Sequence, residues 1–358
     1  MNAHTDFETL SFPFLTSHPC PHVLRLAFGG FSVDVVSNDL ELIDWLGGYF
    51  KDFHREAGPA HSLVTAIECA PPELPLEYSL KDPEPGKTKI KEEWAAFADG
   101  RAVRKRLTGM VFLFGEGRNL ALGPCRENPN QVVNFINNRF IEHRLNEGCL
   151  LGHAAGVAWK GRGFALAGFS GMGKSTLALH MMNLGLDFVS NDRVMLGTTG
   201  GRLMLYGVPK APRVNPGTVL NNENLAPVMP EADRLAFKDL PRDQLWTLEH
   251  KYDAFIDECF GEGRFVLEAQ MQGLVILNWN RDRQGLTIAT VDIDARRDLL
   301  PAFMKSTGLF YDSSHDMPIP DFSEAAYVEA LKDTTVFEVT GGTDFLGAAA
   351  ELVALLRG

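Results

Sequence analysis

Residues Gly168 to Ser175, GFSGMGKS, satisfy the pattern G-x-x-x-x-G-K-[ST] at every fixed position. The pattern needs a strand to deliver the chain, a turn of backbone amides and a helix whose N-terminus faces the same point, so it constrains topology as well as chemistry. Both flanks comply. The apolar run Phe164 to Ala167 predicts the strand, and Ser175 to Leu184 predicts a helix stopped at Gly185. Gly168, Gly171 and Gly173 let amides turn inward around an anion, with Ser170 and Met172 in the turn and Thr176 in the first helical turn. Lys174 supplies a point charge for the outer phosphate oxygens, and Ser175 a hydroxyl for Mg²⁺. The expected ligands are ATP and Mg²⁺.

Val157 to Trp159, the turn Lys160-Gly161-Arg162-Gly163 and Phe164 to Ala167 predict a β-hairpin that feeds directly into the loop. A small-molecule kinase of the ordinary phosphate-loop fold would lack that hairpin, so the pairing of this strand separates the two architectures. After the helix, Leu186 to Ser190 predict another strand, with Asn191, Asp192 and Arg193 at its carboxyl end. Ligands of open α/β sheets bind outside the carboxyl ends of strands, which lets Asp192 reach a metal or an attacking hydroxyl. An exposed turn aspartate is the plainer alternative. The chain has no guanine-reading NKxD, no LSGGQ signature and no later strand of four apolar residues followed by Asp-Glu. The pattern therefore favours phosphoryl transfer to a hydroxyl over a GTP switch or a transport motor.

The 358 residues are 45% apolar and carry a net charge of -12. At about 150 residues per domain, this length predicts two domains, each with its own core. Duplex and anionic-membrane binding depend on extended cationic surfaces, so neither nucleic acid nor membrane is expected as a partner. One basic cluster, Arg101, Arg104, Lys105 and Arg106, is either a contact for an anionic partner or, more plainly, a solvated strand or turn. The five cysteines form no CxxC pair, and the chain shows no secretory leader and no uncharged run of the roughly 18 residues that cross a bilayer. A cytoplasmic protein with reduced thiols is the expectation.

Residues 1–127 read as a small α+β module without recognisable chemistry. It holds the strands VLRLAF and FSVDVVS joined at Gly29-Gly30, and a helix with Leu42, Trp45, Leu46 and Tyr49 at helical spacing. A proline-rich connection over 71–90 and strands near 101–107 and 110–115 complete it. Residues 128–358 read as the catalytic domain, entered by a helix from Asn128-Pro129 to about Asn146 with Val133, Ile136, Phe140 and Ile141 on its apolar stripe. Gly273 to Trp279 predicts a central strand. A last helix, capped by Asp344, is expected to bury Phe345, Leu346, Ala349, Leu352 and Leu356.

From His153 through Asp192 the chain resembles the catalytic domain of HPr kinase/phosphorylase, a family that shares its nucleotide-binding fold with phosphoenolpyruvate (PEP) carboxykinase. The likeness rests on the hairpin, on the loop G-x-S-G-x-G-K-S, and on a histidine fifteen residues before the first loop glycine, here His153 before Gly168. The resemblance implies an α/β (α+β) fold, with a mixed-sheet PEP carboxykinase-like P-loop kinase domain after the small module. It implies that Lys174 and the loop amides bind nucleotide phosphates, that Ser175 and Asp192 hold Mg²⁺, and that His153 lies beside the transferred phosphate. A homo-oligomer is implied too, since HPr kinases are hexameric. Without the family, a lone histidine at a strand start is more often structural.

Asn191 stands where the family has the first aspartate of an acidic pair. An amide can orient a hydroxyl or ligate Mg²⁺ through oxygen but takes no proton at neutral pH, which leaves Asp192 and His153 as acid–base candidates. The family's E-x-R-G-x-G-I segment is absent, and residues 206–221 read YGVPKAPRVNPGTVLN instead. Lys210 and Arg213, spaced by Pro209 and Pro212, present two cations to substrate with Asn215 shaping the loop, or else form a proline-rich surface turn. Residues 245–265 offer Glu249, Lys251 or Arg264 to the site, or a solvated face. The function expected is an ATP- and Mg²⁺-dependent kinase acting on a hydroxyl of a small molecule or protein. A nucleotide-binding regulatory or assembly protein with little turnover is the alternative, and Asn191 is the feature that favours it.

Overall fold

The computed structural model describes residues 5–82, 89–241, 244–245, 248, 250–311 and 320–358, so Glu249 lies outside the described residues. The chain divides into two compact units. One runs to Asn146 and takes back a segment beginning at Thr307; the other comprises Glu147–Ser306 and Pro320–Gly358.

The first unit begins with α1 (Phe7–Ser17), a helix that the sequence reading left out, capped by the Asp6 carboxylate on the Thr9 amide. The strands β1 (His22–Phe28) and β2 (Phe31–Ser37) form the expected hairpin, and α2 (Leu40–Tyr49) follows. Its buried side is Leu42, Ile43 and Leu46, while Trp45 is exposed. The strands β3 (Ser62–Glu68), β4 (Ser79–Leu80), β5 (Glu92–Phe97), β6 (Gly100–Lys105), β7 (Val111–Gly115) and β8 (Arg118–Gly123) complete an eight-stranded mixed sheet in the order β1-β2-β3-β8-β7-β6-β5-β4. All five residues of β7 are buried, as a near-continuous apolar strand requires when both faces are covered. Val111 and Leu113 join Phe7 and Leu10 of α1, whereas the Phe112 ring meets Phe135 on α3 (Pro129–Asn146). The helix that the sequence places at the entry to the second domain thus lies within this unit.

The second unit is built on β9 (Leu150–Gly152), β10 (Ala154–Trp159), β11 (Arg162–Gly168), α4 (Lys174–Asn183) and β12 (Asp187–Ser190), followed by the hairpin β13 (Val194–Thr199) and β14 (Arg202–Gly207). The short β15 (Arg213–Val214), α5 (Pro216–Leu220), α6 (Glu231–Phe237), β16 (Tyr252–Asp253) and α7 (Ile256–Phe260) form a peripheral lobe. Leu179 and Phe188 share a buried cluster with Val214, Val219 and Ile256 of that lobe. Then come β17 (Glu268–Leu277), β18 (Leu286–Val291), α8 (Glu324–Leu331), β19 (Thr335–Gly341) and α9 (Phe345–Arg357).

The main sheet runs β12-β10-β11-β17-β14-β13-β9, with β19 also on β17 and β18 on β19. β17 is the central strand that GLVILNW predicts, and α4 with α9 covers one face. Residues 299–303 and α8 cover the other. α9 buries Ala349, Leu352 and Leu356 as expected, but Leu346 is 70% exposed.

The strand before the loop decides between the two architectures. β11 pairs antiparallel with β10 and parallel with β17, and the hairpin turn is Lys160-Gly161 alone, both residues at positive φ as a type I′ turn demands. The hairpin feeds straight into the turn between Gly168 and Lys174, which sets the chain apart from the ordinary fold. Both sheets mix parallel and antiparallel pairs, so the protein is of the mixed α/β class. No helix among the described residues is long and apolar enough to cross a membrane.

Candidate functional site

β11 ends at Gly168 and α4 begins at Lys174, so the five residues between form the turn that the motif requires. Gly173 is the helix N-cap at φ +85°, and a Cβ there would come within 2.5 Å of the Phe345 ring. Only glycine meets both conditions. The turn is braced from outside: Trp279 Nε1 donates to the Met172 carbonyl at 3.0 Å, and Trp279 stands edge-on to Phe345. Lys174 is 9% exposed, and its Nζ donates across the turn to the Gly168 carbonyl at 2.7 Å. Burial pushes its pKa down, partly offset by the negative charge of Asp192. Ser170 is exposed, Ser175 is half-buried, and the Thr176 hydroxyl lies 2.8 Å from that of Thr218 on α5.

Strand register carries His153 and Asp192 to the same place. Ala154 pairs with Ala167, which sets His153 beside the end of β11, and Ser190 pairs with Gly156, which sends the Asn191–Arg193 turn to that same edge. The His153 amide donates to the Phe303 carbonyl at 2.6 Å. Its Nε2 lies 3.2 Å from Asp192 Oδ1, and this hydrogen bond holds the Asp192 carboxyl well below the usual carboxylate range. The turn itself is tied by Ser190, whose hydroxyl donates to the Arg193 carbonyl and accepts from the Val208 amide. Gly207 permits the approach of that strand, since a Cβ there would sit 1.9 Å from the Val189 carbonyl oxygen. Asn191 presents a buried Oδ1 without a hydrogen-bond partner among the described residues.

Lys210 follows the same strand end, and its charge interacts with Arg193, Asp192 and Arg213, while burial lowers its pKa. Arg213 faces Asp253 at 3.4 Å across the β15–β16 pair, and Asn215 caps α5 through its backbone carbonyl. Arg264 goes elsewhere. Its Nε donates to Asp187 at 2.7 Å, at the opposite end of β12 from Asp192, so the fold does not bring it to the loop. One residue absent from the sequence reading belongs to the neighbourhood: the positive charge of Lys305 interacts with both Lys174 and Asp192. No motif marks it in PAFMKSTG, more than a hundred residues downstream.

The fit of a hard divalent cation can be judged from these donors. Ser175 and Asp192 supply hydroxyl and carboxylate oxygens, and the unsatisfied Asn191 Oδ1 supplies a third, which is the oxygen chemistry that Mg²⁺ prefers. No group of three His, Cys, Asp or Glu capable of caging a metal exists among the described residues.

No family model matches the chain, and no curated protein matches it in sequence. Among solved structures it is similar to the Hpr(Ser) kinase/phosphatase from Coxiella burnetii, at 12% identity and a TM-score of 0.31, over 58% of this chain and 88% of that one. A likeness of that size assigns neither family nor activity.

Proposed function

We propose that the chain is a cytoplasmic, ATP- and Mg²⁺-dependent phosphotransferase, related to HPr kinases, that acts on a hydroxyl of a small molecule or protein. What carries the reading is the convergence of a buried phosphate-loop lysine, Lys174, with the hydrogen-bonded pair His153–Asp192 at one sheet edge. The loop amides at the N-terminus of α4 and the Lys174 ammonium would hold the β- and γ-phosphates. Ser175, Asp192 and the Asn191 carbonyl would hold Mg²⁺. When bound there, Mg²⁺ would supply positive charge against the negative charge that develops on the phosphoryl group.

Asp192 stays ionised at neutral pH, so it accepts a hydrogen bond from the acceptor hydroxyl and aligns that oxygen with the γ-phosphorus. His153 fixes the carboxylate and is the second group able to move the proton. Lys210, beside the same turn, adds positive charge where the phosphoryl group moves, with Arg213 behind it on Asp253. A loose transition state asks for such positioning and neutralisation more than for full deprotonation, so Asn191 in place of a second carboxylate is compatible with transfer.

One observation supports the second reading, a nucleotide-binding regulator with little turnover: Asn191 stands beside Asp192 in place of a second carboxylate, and His153 is already bonded to Asp192. Incubation with Mg²⁺ and γ-labelled ATP, alongside nucleotide-binding measurements, separates the two. Label transferred to metabolites or protein establishes the kinase; tight binding with no product in any pool establishes the regulator.

A further inference from the structure

Lys305 is the one lysine near the loop that the sequence gives no reason to notice, and its backbone is unusually well held. Residues 303–305 lie antiparallel to the end of β9: Phe303 accepts the His153 amide, Met304 bridges Gly152, and the Lys305 amide donates to the Leu151 carbonyl at 3.2 Å. The hydroxyl of Tyr327, a fully buried residue on α8, donates to the same Leu151 carbonyl and lies 3.4 Å from the Lys305 amide and 3.3 Å from its carbonyl. A buried phenol reaching out of a helix to clamp one residue of a loop fixes where that residue stands.

The ammonium so positioned makes no hydrogen bond or ion pair among the described residues. It stands within electrostatic reach of a like charge, Lys174, and of Asp192. Lys174 and Lys305 both interact with the Asp192 carboxylate, which already has His153 and Arg193 against it, so positive charge there exceeds negative and an anion would neutralise it.

We propose that Lys305 is a second phosphate-binding cation, contacting the transferring phosphoryl group, and that Tyr327 is its positioning residue. This rests on the nucleotide-site reading above and adds to it a group from a distant part of the chain. Lys174 and the loop amides hold the β- and γ-phosphates, and Lys305 adds a contact to the γ-phosphoryl group as it moves.

The test compares two complexes by calorimetry: Mg²⁺ with ADP, and Mg²⁺ with ADP and aluminium fluoride, which fills the position of the moving phosphoryl group. Lys305→Met should leave ADP affinity within about twofold and weaken the fluoroaluminate complex about ten- to a hundredfold, the range of a charge-assisted hydrogen bond. Lys305→Arg should restore most of that loss, and Tyr327→Phe should reproduce part of it with ADP affinity unchanged. Equal affinities of Lys305→Met and the wild type for the fluoroaluminate complex would overturn the role of Lys305 alone. If the wild type binds neither complex, the nucleotide-site reading fails, and the role of Lys305 fails with it.

Discussion

The two units use charge in opposite ways. In the first, cations are matched inside the unit: Arg104 with Glu93, Lys105 with Glu92, Arg118 with Asp99, and the buried Arg139 with Glu142 at 2.8 Å. Arg139 also lies over the Phe114 and Phe135 rings and donates to Asn119 and to the Phe310 carbonyl of the returning segment. Arg101 donates to Leu309 and Tyr311, and Lys105 sits over the Phe310 ring, so the basic cluster in the sequence is largely engaged within the fold. At the loop edge of the second unit, Lys174 is buried on a single carbonyl, the Asn191 carbonyl oxygen is unsatisfied, and like charges face each other. Unsatisfied buried atoms occur in both units, Tyr78 Oη and Arg101 Nε in the first, so it is the like charges beside the Asn191 oxygen that mark where a ligand completes the arrangement.

That contrast predicts a double dissociation. Arg139→Ala removes the buried guanidinium that Asn119, Glu142 and the Phe310 carbonyl share and should cost about 3–5 kcal/mol of stability, read by denaturant unfolding, with nucleotide affinity of the folded fraction unchanged. Lys174→Ala should do the reverse. Transfer should fall on the order of 10²- to 10³-fold, or below detection, while the unfolding midpoint moves little, because a buried cation with one hydrogen bond contributes little to the empty fold. Full activity of that variant would remove the basis of the comparison. Gly173→Ala tests the loop backbone itself. A left-handed alanine costs about 1–2 kcal/mol before its contact with Phe345 is counted, and both melting temperature and nucleotide affinity should drop.

A smaller effect separates His153 from the loop. A depressed carboxylate contributes stability that is complete above its unfolded pKa of about 4 and is lost as pH falls through the lower folded value. Since the His153 hydrogen bond is the main cause of the depression, His153→Ala should raise the Asp192 titration towards the ordinary range, visible in its carboxyl carbon-13 shift. An unmoved titration would mean that the pair is not coupled. The smallest change is expected for Arg264→Gln: its ion pair with Asp187 is half-exposed and worth about 0–1 kcal/mol, and turnover should stay within about twofold. A large loss of turnover would return Arg264 to the substrate site.

The turn over Gly168–Lys174, the hairpin before it and the turn at Asn191–Asp192 were legible because each is local: glycine conformation, strand alternation and helix capping act over a few residues. The β1–β2 hairpin and the cap at Asp344 were legible for the same reason. Leu346, expected to be buried, is exposed because helical spacing identifies a stripe but not the neighbour that covers it. Arg264 looked available because a charge in a loop carries no sign of its partner, and Asp187 lies 77 residues earlier.

The sequence by itself determined the strand, turn and helix around Gly168–Ser175, since glycine conformation and helix capping act over a few residues. Only the tertiary structure decided which other charges attend them. Strand register set His153 against Asp192, Ser190 tied their turn to the strand leading to Lys210, and the Tyr327 clamp brought Lys305 to the same edge. These choices depend on pairings between segments far apart in the chain, and long-range pairing leaves no periodic mark on either partner.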